Sequence, residues 1–143
     1  MKFPTKWLAL PVVCLSMVPP TDAATVTVTP AERDAMVATT SAAAAKALKV
    51  EAAQLRVVPE QIKRHGNWVF LTAQMQDPAG KRFDYAGTDR HDAAQAGGVS
   101  SLCVALLHSD GTVWKLVELA VGPTDVAWEG WAAAHKAPAE LFQ

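Results

Sequence analysis

The chain has 143 residues, 50% of them hydrophobic, with 13 Lys+Arg against 14 Asp+Glu. That length and apolar share suffice for one ordinary domain with a core of its own. A near-neutral balance speaks against nucleic acid as a partner and leaves no basic patch for an anionic membrane.

Met1–Ala23 reads as an export signal and not as part of the fold. Lys2 and Lys6 form a positive start, Trp7–Val18 an apolar run interrupted by Pro11, and Pro19–Ala23 a turn-prone end. Thr21 and Ala23 supply the small residues that a cut after Ala23 needs. The run is short of the about 20 residues that span a bilayer. Val13 stands where a lipoprotein signal has a small residue before Cys14, so plain secretion is preferred, with a retained N-terminal anchor as the alternative. The expected location is periplasmic or secreted, with no stable membrane insertion once the signal is cut. Lys2, Lys6 and Asp22 leave with it, so residues 24–143 hold 11 basic and 13 acidic groups, a net charge of −2. Cys103 is then the single cysteine, which excludes an intramolecular disulfide.

Residues 24–143 read as a single α+β domain. Thr25–Thr29 alternates polar and apolar residues and reads as an edge strand or a lead-in. Thr29 is a usable N-cap, Pro30 a first-turn residue and Glu32 an acidic one, so a helix is expected over Ala31–Lys49. Ala35, Met36, Ala42, Ala43, Ala47 and Val50 are available for its buried face, and Thr39-Thr40-Ser41 weakens its middle.

Gln54–Val58 reads as a strand that Pro59 punctuates. Gln61–His65 then pairs with Trp68–Met75 across Gly66-Asn67, setting Ile62 against Leu71, Arg64 against Val69 and His65 against Trp68. The Val69, Leu71, Ala73 and Met75 side is the expected core face, with Trp68 and Phe70 opposite. Gln76–Ser100 is irregular, with two turns of helix at Thr88–Ala96 ended by Gly97-Gly98. Long ordered loops of this kind often carry binding residues.

Ser109-Asp110-Gly111 lies between two β-branched-rich runs and signals a second hairpin, expected to be central in the sheet. A bulged loop sets Leu106 against Trp114, Val104 against Leu116 and Leu102 against Glu118. A tighter loop sets Leu107, Ala105 and Cys103 against the same three residues. Either way Trp114, Leu116 and Glu118 share one face, since strand side chains alternate. Cys103 sits mid-strand as a buried thiol. Thr124 or Asp125 caps a short helix, Val126–His135, whose Trp128 and Trp131 act as a lid on the sheet.

No phosphate loop, His-Glu-x-x-His, Cys-x-x-Cys or Gly-x-Ser-x-Gly motif is present. His65, His91, His108 and His135 show no ligand spacing, so neither a metal site nor a cofactor is expected. The densest polar stretch is Asp84-Tyr85 followed by Asp89-Arg90-His91-Asp92. Glu118, on a face shared with a tryptophan and a leucine, needs a partner, water or a raised pKa.

Trp114–Trp128 together with the Trp131…Phe142 ending resembles, over Gly66–Phe142, a group of small exported bacterial proteins of uncharacterised function. That group supplies no catalytic residues. A helix followed by an antiparallel meander ending in Asp-Gly-x-x-Trp-Lys-x-Val is also similar to cystatin-like and nuclear-transport-factor-2-like folds. This implies a curved sheet around a helix, with a pocket on the concave face; fold alone licenses no function.

The expected architecture is therefore an N-terminal helix on a four-stranded antiparallel sheet, with a short Trp-bearing C-terminal helix. The leading functional expectation is a non-catalytic envelope protein that binds a small apolar molecule or a protein partner. Its pocket would be lined by Trp68, Phe70, Tyr85, Trp114, Leu116 and Glu118. One alternative is a small hydrolase or isomerase using Glu118 with His91 or Asp84. Another is an inhibitor that presents the Gln76–Ser100 loop to a secreted enzyme. Oligomeric state is not legible in the sequence.

Overall fold

The computed structural model describes Thr27–Gln143. The expected export signal lies outside the described residues.

Helix α1 spans Pro30–Leu48 and begins as its sequence requires. The Thr29 hydroxyl accepts from the Glu32 amide at 3.2 Å, and the Glu32 carboxylate accepts from the Thr29 amide at 2.9 Å. This reciprocal capping satisfies two of the donors that a helix start leaves free. The buried stripe is Met36, Thr40, Ala44 and Leu48, with Ala45 beside it. Of the expected face only Met36 is fully buried; Ala35, Ala42 and Ala47 are exposed. Large side chains at Met36 and Leu48 set the helix's rotation, and Thr40 joins them because its hydroxyl donates to the Met36 carbonyl at 2.8 Å. Helix α1 runs unbroken through the Thr39-Thr40-Ser41 stretch.

The four strands are β1 (Arg56–His65), β2 (Trp68–Gln76), β3 (Leu102–Ser109) and β4 (Trp114–Val121). They pair antiparallel in the order β1-β2-β3-β4, so the fold is α+β. The first hairpin has the register its sequence predicts, with Ile62 opposite Leu71, Arg64 opposite Val69 and His65 opposite Trp68. Pro59 does not end a strand. It lies inside edge strand β1, opposite Ala73, and the register shifts between Pro59 and Gln61. An edge strand tolerates proline because one side of its backbone needs no ladder partner.

The second hairpin departs from both expected registers, and it is not central: β2 and β3 are the inner strands and β4 is an edge. One Asp110 carboxylate oxygen accepts from the Thr112 amide at 2.9 Å, the Val113 amide at 3.1 Å and the Thr112 hydroxyl at 2.9 Å. Those bonds hold Thr112 and Val113 in the loop, so pairing begins at Ser109 opposite Trp114. Leu107 then faces Leu116, whereas Leu106 faces Glu118, which leaves Val117 as an extra residue. This β-bulge reverses the alternation of side chains along β4.

The sheet is apolar on both sides. On one side α1 covers Val69, Leu71, Ala73, Met75, Ala105, Leu107 and Trp114. On the other, Phe70, Val104 and Leu106 pack beneath Trp131, Ala137 and Leu141. The covering segment contains helix α3, Trp131–His135, and a 3-10 turn at Ala139–Phe142. Helix α3 is shorter than the expected Val126–His135, which opens with turns. Similarly, α2 in the long loop is only His91–Gln95.

Candidate functional site

The bulge at Val117 divides the residues that the sequence had grouped. Trp114 and Leu116 belong to the α1 side of the sheet, whereas Glu118 lies opposite Leu106 on the other side. Trp68 and Phe70 also lie on that second side, as expected from β2. Tyr85 packs with the α1-side core. The six expected binding residues therefore line no common cavity.

Three of the six are also contacted by other side chains of the chain itself. Phe70 meets the rings of Trp128, Trp131 and Phe142, with centroids 5.7, 6.5 and 4.9 Å away. Trp68 lies 4.4 Å from the His108 ring. The Arg64 guanidinium sits 5.2 Å over the Trp114 ring while pairing with Glu32 at 2.9 Å. A cation held over the ring of an indole that is itself buried leaves little of it free for a ligand.

Of the catalytic candidates, Glu118 pairs with Nε2 of His135 at 3.0 Å, so the end of α3 is tied to β4. Asp84 accepts from the Ala86 amide at 2.9 Å in a local turn. His91 opens α2, and its Nδ1 has no hydrogen-bond partner. Among the described residues no hydrogen bond or ion pair joins Glu118 to His91 or Asp84. Nor do any three His, Cys, Asp or Glu side chains there cluster as a metal would need. Burial pushes the Cys103 thiol up to about 12, which keeps it protonated and inert.

The long loop forms an open groove instead. Phe83 and Tyr85 are both buried, with ring centroids 5.1 Å apart, and they anchor the loop against the end of the sheet. The Phe83 amide donates to the Met75 carbonyl at 3.1 Å. Tyr85 has φ +63°, a conformation that non-glycine residues rarely take, and the Thr88 hydroxyl and amide both donate to its carbonyl. Its phenol donates to the Ser100 carbonyl. Desolvation raises the phenol to about 12, against the opposing pull of Arg90. The Arg90 guanidinium in turn donates to the Val121 carbonyl at 2.6 Å.

These contacts border an open space of about 780 Å³ between the loop and the ends of β2, β3 and β4. Its floor is Phe83, Tyr85, Val99, Leu102 and Pro123, and its rim is Gln74, Arg82, Asp84, Gln95 and Thr124. An aromatic and aliphatic floor under a few polar groups is the usual make-up of a small-molecule site. Of the expected residues it contains Tyr85 and Asp84. Gln74, Arg82 and Thr124 were missed, and the one sequence signal that pointed there was the length of the loop.

Comparison with family models, curated proteins and solved structures returns no match. Among the described residues no helix is long and apolar enough to cross a membrane.

Proposed function

We propose that this chain is an exported, non-catalytic binding protein that holds a small amphipathic molecule in the groove beside Tyr85. The observation that carries this reading is the pairing of an apolar floor with a rim of one cation, Arg82, neutral hydrogen-bonding groups, and one carboxylate, Asp84, that already accepts from the Ala86 amide. A ligand with a flat or aliphatic body and an anionic or carbonyl-bearing end would bury the first part and meet Arg82 with the second. The chemistry that a hydrolase or isomerase would need is spent elsewhere, since Glu118 is engaged by His135 and Asp84 by a backbone amide. The inhibitor reading loses its support where Phe83 and Tyr85 pin the loop to the sheet instead of letting it protrude. Export to the periplasm or medium rests on the leader-like Met1–Ala23 and on the resemblance to small exported proteins.

Titration with 8-anilinonaphthalene-1-sulfonate, an anionic aromatic probe of matching character, tests the groove. Saturable fluorescence enhancement is expected, weakened by Arg82→Glu and abolished by Thr124→Trp, which fills the groove from its exposed rim. Enhancement that neither substitution changes would remove the groove as the binding site.

A further inference from the structure

Strand β4 is an outer strand of the sheet, and its free edge carries a distinctive pattern. Trp114, Leu116, Leu119 and Val121 belong to the α1 side, whereas Lys115, Val117, Glu118 and Ala120 belong to the other. Leu116–Val121 are all half-buried, so an apolar edge remains in contact with solvent. Exposed apolar edges of this kind are templates for pairing with a further strand.

We propose that the partner is a second copy of this chain, joined through antiparallel β4–β4 pairing about a two-fold axis at Leu116. Antiparallel strands within one sheet must keep each side chain on its own face, and that requirement restricts the registers. Counting Val117 and Glu118 as the one bulged position that they form opposite Leu106, a two-fold at Leu116 sets Trp114 beside Leu119 of the second copy. It also sets Lys115 beside Glu118 of the second copy, on the same face and twice over by symmetry. Moving the axis by the smallest face-preserving step fails in both directions. An axis at Lys115 opposes the two lysines, and an axis at the bulge opposes the two glutamates. Like charges directly opposite destabilise a sheet, and opposite charges stabilise it.

Two further observations fit the same register. Val113, immediately before β4, is the most exposed large apolar residue described, at 57%, and it would be covered by Ala120 of the second copy. At the far end of the edge the Val121 carbonyl is occupied by Arg90, which obstructs registers centred nearer that end. Lys115 and Glu118 each have a partner within the chain, Lys115 pairing with Asp110 at 3.4 Å and Glu118 with Nε2 of His135 at 3.0 Å. The Lys115, Asp110 and Glu118 side chains are each at least 42% exposed. A surface pair of that kind is weak and readily exchanged.

The test is light scattering coupled to size exclusion on the purified protein, from about 10 µM to about 1 mM, where mass action favours a weak dimer. The wild-type protein is expected to dimerise, and Lys115→Glu or Glu118→Lys alone to weaken the dimer about tenfold. Near-UV circular dichroism establishes that each variant keeps the fold. The decisive sample is an equimolar mixture of the two variants, because each then offers the charges that the other lacks. Dimerisation of the mixture, by variants that singly stay monomeric, supports this register. A wild-type protein that stays monomeric, a dimer indifferent to either reversal, or a mixture that stays monomeric would each overturn it.

Discussion

Tyr85 and Gly122 are fitted to one another: the phenol oxygen lies too close to the place of a β-carbon on residue 122 for one to be accommodated. Gly122 also has φ +69°, and the Ser100 carbonyl would be 3.1 Å from that carbon. This one close approach fixes the long loop to the turn after β4 and so shapes the groove. Gly122→Ala is expected to cost about 2–4 kcal/mol, from the left-handed backbone and from overpacking together. Tyr85→Phe should cost about 1 kcal/mol by removing the hydroxyl's hydrogen bond. The double variant should lose less than the two single losses combined, since the absent oxygen makes room for the new methyl. Chemical denaturation of the four proteins measures the coupling.

The C-terminal segment is structural and not a removable lid. Leu141 is 2% exposed and packs with Phe70, Val104, Leu106 and Trp131 on the face away from α1. Leu141→Ala should therefore cost about 2–5 kcal/mol, a core-sized loss for a residue two positions from the C-terminal end of the sequence. Glu118→Gln is expected to stay within about 1 kcal/mol of wild type, because its pair with His135 is partly solvated. Urea midpoints of the two variants separate these outcomes.

Stability should fall at alkaline pH, and two groups set the window. Burial holds the Cys103 thiol and the Tyr85 phenol at about 12 in the folded state. In the unfolded chain they ionise near about 8.5 and about 10. Both folded values are raised, so the unfolded state releases its protons first. Their contribution is complete below about pH 8.5 and is lost as pH rises toward about 12. Cys103→Ala is expected to be less stable at neutral pH, through the cavity it leaves, yet to decline less steeply between about pH 8.5 and 10.

Asp110 acts at the opposite end of the scale. The Thr112 amide, followed by the Val113 amide and the Thr112 hydroxyl, holds its carboxyl well below the usual carboxylate range. The stabilisation is present above about pH 4 and is lost as pH falls through the lower folded value. Asp110→Ala should bring faster amide exchange at Thr112 and Val113 and a shallower loss of stability on acidification. Unchanged exchange at both amides would show that the loop does not depend on this carboxylate.

The register of the first hairpin was legible because Gly66-Asn67 allows a short turn and its flanking alternation fixes the pairing, whereas Pro59 hid the continuation of β1 back to Arg56. The start of α1 was equally legible from Thr29, Pro30 and Glu32. The second hairpin was not, since a single carboxylate at Asp110 enlarges the loop and an unmarked bulge at Val117 exchanges the faces of β4. No local propensity announces that bulge: Leu116, Val117 and Leu119 are all good strand residues. The same shift dissolved the expected site by moving Glu118 away from Trp114 and Leu116. The α1 stripe was misread because alanines on every side carry no directional signal, which left Met36 and Leu48 to decide it. The groove was visible only as a long loop, because its walls come from segments far apart in sequence.

Native mass spectrometry of the protein isolated from the cells that produce it addresses the proposed function most directly. The expected spectrum contains a folded species carrying one additional small mass, released on collisional activation and missing from the Thr124→Trp variant. A wild-type protein that flies at its bare mass, indistinguishable in this respect from the filled-groove variant, would contradict a binding role for the groove.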